Sequence, residues 1–114
     1  MGQTIFGRII AGDISADKLL ENDDLIAIRD VNPQAPVHVL IIPKKPLVGI
    51  SDSSASDNEL LGKLLGAARE VAASLGLSTD GYRIVINNGE SAGQSVPHLH
   101  LHLLGGRDFL WPPG

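Results

Sequence analysis

The heptapeptide His98-Leu99-His100-Leu101-His102-Leu103-Leu104 alternates an imidazole with a leucine at every step. That period belongs to an extended chain, so the segment predicts a β-strand over 98–104. All three rings then share one face, and Leu99, Leu101 and Leu103 share the other. The leucine face needs an apolar partner. The one clear helical pattern supplies it, with Leu60, Leu61, Leu64, Leu65, Ala68, Val71, Ala72 and Leu75 at helical spacing. A capping box of Ser56 and Glu59 opens a helix over 57–75, and Gly76 closes it.

The rest of the chain reads around that pair. Thr4 caps a short amphipathic helix carrying Ile5, Phe6, Ile9 and Ile10, with Gly12 as its stop. Segments 18–21 and 25–29 flank Asn22-Asp23-Asp24 and predict a hairpin. Val37–Ile42 is a β-branched and leucine run stopped by Pro43, which predicts a central strand buried on both faces. Tyr82–Asn87 predicts another strand, followed by a Gly/Ser/Gln loop over 89–95. Runs of strands with a long helix between them indicate an α+β fold with an antiparallel sheet. At 114 residues, with 43% apolar residues, the expectation is a single domain over 1–114. Aromatics are only 4%, so its core must be aliphatic.

Composition removes several functions. The absence of cysteine excludes disulfides, thiolate zinc sites and thiol catalysis. A net charge of −4 argues against a nucleic-acid-coating surface. No apolar run approaches the ~18 residues of a membrane span, and the N-terminus lacks a signal-peptide pattern. No membrane or nucleic-acid partner is expected, and the expected location is the cytoplasm.

A lone histidine is usually an ordinary hydrogen-bonded residue. Three in strict alternation, in a chain with four, call for chemistry. Zinc is one candidate. On a straight strand, however, His98 and His102 start ~13 Å apart, and zinc takes nitrogen donors at ~2.0–2.1 Å. Phosphorus chemistry is the other candidate. Neutral imidazole is a good nucleophile near neutral pH, and neighbouring imidazoles can bind phosphate oxygens. Gly89, Gly93, Gln94 and Ser95 lead into the histidines as a small-residue loop whose backbone N–H groups can approach an anion. Taken alone, His38 reads as a core histidine, Asp30 as a turn residue, and Lys44-Lys45 as a solvated strand end.

The heptapeptide resembles the His-φ-His-φ-His-φ-φ signature of the histidine-triad superfamily. Thr4-Ile5-Phe6-Gly7, Asp30, Pro33-Gln34-Ala35-Pro36, His38, Ile42-Pro43-Lys44-Lys45, Gly93-Gln94-Ser95, Gly105-Gly106-Arg107 and Trp111-Pro112-Pro113-Gly114 extend the likeness to the Hint branch. The resemblance implies a five-stranded antiparallel sheet with one long and one short helix, dimerising into a ten-stranded sheet. It implies a purine nucleoside phosphoramidate hydrolase that cleaves the P–N bond of adenosine 5′-phosphoramidates without cofactor or metal. By position, His100 is then the nucleophile, with His98 and His38 supporting the array. His102 contacts the phosphate with Asn87, Gly93, Gln94 and Ser95 nearby. Asp30 holds the ribose hydroxyls, while Ile5, Phe6, Ile9, Ile28 and Val31 line the base pocket. Trp111 serves the partner protomer's site. Pro97, Ile28, Phe109 and Leu110 depart from the family pattern and bear on substrate preference. Two alternatives stay open at this level: a non-catalytic nucleotide-binding or regulatory module, and a zinc-binding protein.

Overall fold

Thr4 opens helix α1 (Ile5–Ile10) by accepting the Gly7 N–H at 3.1 Å in the computed structural model, which describes residues 3–114. Strands β1 (Lys18–Glu21) and β2 (Leu25–Arg29) form the expected hairpin. Its turn is an Asx turn, in which the Asn22 side-chain oxygen Oδ1 accepts the N–H groups of Asp24 and Leu25 at 2.8 and 3.1 Å. β2 lies antiparallel to β3 (Val37–Pro43), and β3 to β5 (Leu101–Gly105). β4 (Tyr82–Val85) closes the other side of β5, giving a five-stranded antiparallel sheet of order β1-β2-β3-β5-β4. The long helix α2 (Asn58–Ser74) connects β3 to β4 across one face. The fold is α+β, as the pattern predicts.

β3 is buried on both faces because each face meets a different layer. Val39 and Ile41 join Leu25, Ala27, Leu64, Ala68, Val71, Leu99, Leu101 and Leu103 in the larger cluster under α2. Leu40 and Ile42 join Ile26, Ile28, Phe6 and Ile9 under α1. The leucine side of the alternating heptapeptide therefore packs on the long helix, and the histidine side faces α1.

Three local readings need correction. The capping box is Ser54 and Asp57, not Ser56 and Glu59: the Ser54 N–H donates to the Asp57 carboxylate at 2.9 Å. Asp57 is buried and paired with Lys45, and the box caps a 3₁₀ turn, Ala55–Asp57, that leads into α2. Lys44-Lys45 is a solvated strand end, as read, with both amines in ion pairs: Lys45 with Asp57, and Lys44 with Glu21 at 3.1 Å. β4 ends at Val85 rather than Asn87. β5 begins at Leu101 rather than His98, because β3 gives it no partner beyond Ile41. Past that point the Leu99 N–H turns to the Leu47 carbonyl at 2.7 Å, and the Pro43 carbonyl accepts a ring N–H of His98 at 2.8 Å.

Candidate active site

The three alternating histidines stay on one side even where the ladder has stopped. His98, His100 and His38 are buried, and His102 is half-buried. The His100 and His102 ring centroids are 5.0 Å apart, and Phe6 of α1 sets its ring edge-on to His100 at 5.0 Å and to His98 at 6.3 Å. His38 reaches the group from β3, with its ring 5.2 Å from that of His102. The register explains this: Leu40 is opposite His102, so His38, two residues away, projects from the same face.

Backbone groups decide where each ring proton sits. A carbonyl oxygen can only accept, so the 2.7 Å contact of His100 Nδ1 with the His98 carbonyl puts a proton on Nδ1. In neutral His100 this leaves Nε2 with a bare lone pair. A backbone N–H can only donate, so the Gln34 N–H, 3.0 Å from His38 Nδ1, leaves that nitrogen unprotonated. Neutral His38 then carries its proton on Nε2, 2.9 Å from His102 Nδ1. His102 accepts it there and keeps its own proton on Nε2. The two neighbouring rings are thereby held as opposite tautomers, His100 as an acceptor and His102 as a donor.

The electrostatics hold His38, His100 and His102 neutral. Burial pushes His100 below the ordinary imidazole value, and the bond to the His98 carbonyl only partly opposes it. Burial also lowers His38, against the attraction of Asp30. His102 is pushed down to about 4, first by burial and then by His100 and His38. The hydrogen-bond pattern gives the same answer, because a second proton on His102 would point Nδ1–H at the Nε2–H of His38.

A cavity of about 520 Å³ opens in front of His100 and His102, within the usual range for small-molecule sites. Of the residues expected at the site, Ile5, Phe6, Ile9, Ile28, Asp30, Val31, Ser95, His100 and His102 line it. His38 stands behind His102, and His98 faces a separate cavity beyond α1. Gly93, at φ +89°, turns the loop beside the Asn87 amide. Gln94 staples that loop: its amide donates to the Val48 and Val96 carbonyls at 2.6 and 3.1 Å, and its oxygen accepts the Gly89 N–H at 2.8 Å. Gln94 lines a neighbouring cleft with Val48, Glu90 and Pro97, and Ser95 borders both spaces. Trp111 is not part of the wall. It is 84% exposed, and two residues before it the Phe109 ring has the guanidinium groups of Arg83 and Arg107 at 5.1 and 4.3 Å from its centroid.

Sequence reasoning missed Ile14, Ser15, Ala16, Asp17, Arg29, Leu40 and Val96, which complete the wall. Alternation along β3 from His38 would have found Leu40. Asp17 and Arg29 close one side as an ion pair at 3.3 Å. Also missed was a cluster in which Asp30 Oδ2 lies 3.3 Å from His38 Nε2, and the donor atoms of Asp30, His38 and His102 fall within 4.8 Å of one another. Among the described residues this is the group close enough to gather a cation. It holds one of the alternating histidines, not all three, and a cation there would have to replace the His38–His102 hydrogen bond.

Known proteins resemble this arrangement throughout the chain. The HIT domain family model matches residues 11–109. An uncharacterised HIT-like protein of Synechocystis is 59% identical over 111 residues, covering 97% of this chain and 96% of the relative. The crystal structure of a HIT family hydrolase from Legionella pneumophila superposes with a TM-score of 0.96 at 47% identity, over 98% of this chain and 100% of that one. A histidine triad nucleotide-binding protein from Candida albicans gives a TM-score of 0.82 at 31% identity, over 98% and 85% of the two chains.

Proposed function

The chain belongs to the HIT family, and from that premise we propose that it is a purine nucleoside phosphoramidate hydrolase working through a nucleotidyl-histidine intermediate. One observation carries the reading: His100 and His102 are fixed as opposite tautomers on one cavity wall, a lone pair beside a donor. Relatives whose names include hydrolase and nucleotide-binding protein support it.

The base lies against Ile5, Phe6, Ile9, Ile28 and Val31, and the ribose hydroxyls donate to Asp30. The phosphoryl group faces His100 and His102, with Asn87, Gly93, Gln94 and Ser95 on its loop side. His100 Nε2 attacks phosphorus, and the P–N bond breaks with its electron pair going to the amine. Charge gathering on His100 is drawn toward the His98 carbonyl through Nδ1–H. The departing amine needs a proton, which the neutral array lacks. The anionic phosphoryl group supplies the remedy, because its charge offsets the desolvation that keeps His102 neutral. His102 takes up a proton as substrate binds and passes its Nε2 proton to the amine. Water then attacks phosphorus, gives a proton back to His102, and frees His100.

The same reading makes the working unit a cytoplasmic homodimer of single-domain protomers, with β4 as the outer strand that continues the sheet and Trp111 serving the partner's site. The half-buried side chains of β4 and the exposed Ile86 and Leu65 support it. Turnover of a fluorogenic adenosine 5′-phosphoramidate, with and without chelator, tests the activity. We expect chelator-independent turnover, a nucleotidyl group on His100 in enzyme quenched in mid-reaction, and loss of several orders of magnitude in His100→Ala with nucleotide binding intact. Binding without turnover would favour a regulatory module. Activity lost to chelator and restored by zinc would favour a metal site.

A further inference from the structure

We propose that Asp30 is a positioning residue that lets His102 carry a proton, by taking over the His38 N–H that otherwise fills the His102 ring nitrogen. The proposal rests on the phosphoramidate reading and adds to it a device that no ribose contact requires.

One proton faces two acceptors. His38 Nδ1 is occupied by the Gln34 N–H, so neutral His38 has a single N–H, on Nε2. That N–H faces His102 Nδ1 at 2.9 Å and Asp30 Oδ2 at 3.3 Å. While His102 is neutral, the shorter contact takes the proton. Once His102 is protonated, its Nδ1 becomes a donor, and two N–H groups would oppose each other at that separation. The His38 N–H then needs another acceptor. Asp30 is already aimed to accept it, because its Oδ1 takes the Asn32 N–H at 2.9 Å and so turns Oδ2 toward His38. The carboxylate also brings a negative charge close to the new imidazolium.

The groups facing His102 leave Asp30 as the one that can do this. His100 comes from its own strand and His38 from β3, and neither supplies an anion. Asp17, the other acid on the cavity wall, is paired with Arg29. Asp30 therefore holds the His38 N–H through both chemical steps. In the first, protonated His102 gives its Nε2 proton to the amine as the P–N bond breaks, and remains neutral with its proton on Nδ1. In the second, Nε2 takes a proton from the attacking water as the bond between His100 and phosphorus breaks. When product leaves, His102 loses its Nδ1 proton and the His38 N–H returns to it.

Two readouts test this. The first follows the His102 ring proton by NMR titration in protein loaded with adenosine 5′-monophosphate, and needs no turnover. Asp30→Asn should move the His102 midpoint down by about one pH unit or more, and the shift should be clearly smaller in a His38→Gln background, where only the direct attraction of the carboxylate is left. No shift, or the same shift in both backgrounds, would overturn the proposal. The second uses a 2′,3′-dideoxyadenosine 5′-phosphoramidate, which has no sugar hydroxyl to lose. Asp30→Asn should still lower its kcat by about tenfold, as part of the ~10²–10⁴-fold that a placed acid supplies. It should also move the alkaline limb of the kcat profile to lower pH, because His102 must be protonated to act. A rise in KM for the ribose substrate alone, with the dideoxy kcat and its pH profile untouched, would reduce Asp30 to a sugar ligand. Should the wild type turn over no phosphoramidate, the reading of the activity fails, and the titration arm still decides the relay. Should His38→Gln fail to fold, the dideoxy substrate decides it.

Discussion

Acidification should weaken the fold through His102, and the size of the effect can be worked out. Unfolded, the ring titrates near the ordinary 6.5; folded, it titrates near about 4. Between those values the unfolded chain binds a proton that the folded chain refuses, so stability falls as pH falls through this window. Above it the group contributes its full share, and below it nothing more is lost. Integrating the difference from pH 7 to pH 4.5 gives a loss of about 2 kcal/mol from this ring. His100 and His38 are displaced in the same direction and add to it. His102→Gln isolates the contribution. A glutamine carbonyl can accept the His38 N–H, its amide can face the cavity, and it does not titrate in this range. Urea unfolding of both proteins at both pH values measures the loss, with equal slopes required for the comparison. The wild type should lose about 2 kcal/mol more than the variant on acidification. Equal losses would refute the claim that burial and the His38 bond keep His102 neutral.

Calorimetry in buffers of different ionisation enthalpy should register uptake of up to one proton when adenosine 5′-monophosphate binds near pH 7, and none with adenosine. Equal uptake for the two would detach the proton from the phosphate. Gly106→Ala should destabilise by about 1–3 kcal/mol in thermal or chemical unfolding, because Gly106 sits at φ +88° and a Cβ there would meet Pro36 at 2.9 Å. Deleting residues 110–114 should change discrimination among leaving amines and leave the sedimentation coefficient that of a dimer; unchanged specificity would argue against Trp111 as a partner-site residue.

Much of the fold was legible because its signals are local. Asn22 writes its own turn, Thr4 its own cap, and the period of α2 is plain in its leucines and alanines. The misread boundaries depended on partners distant in sequence. Ser56 and Glu59 have the spacing of a capping box, but Lys45 pins Asp57 and moves the box forward. Residues 98–100 keep the alternation of a strand without its ladder, because β3 gives β5 no partner past Ile41 and the Pro43 carbonyl is taken by a histidine ring. The histidine face was readable from spacing alone. The tautomers were not, since they hang on the Gln34 N–H and the His98 carbonyl, and no side-chain pattern reports where a backbone group will point. The wall segment from Ile14 to Asp17 was missed for a related reason: a connecting loop carries no period to read.

The two-sided burial of β3 separates what keeps this protein folded from what it can recognise. The larger apolar layer lies under α2, while the cavity wall is built from α1, the segment behind it and the opposite face of the sheet. A lineage or an engineer could therefore rewrite residues 5, 9, 14–16 and 31 to suit a different ring, while the leucine layer under α2 went unaltered. Tolerance to change should be uneven in the same way. Libraries over the α1 side should return many folded proteins with shifted preferences, and libraries over Leu64, Leu99 and Leu101 should return few folded proteins of any kind.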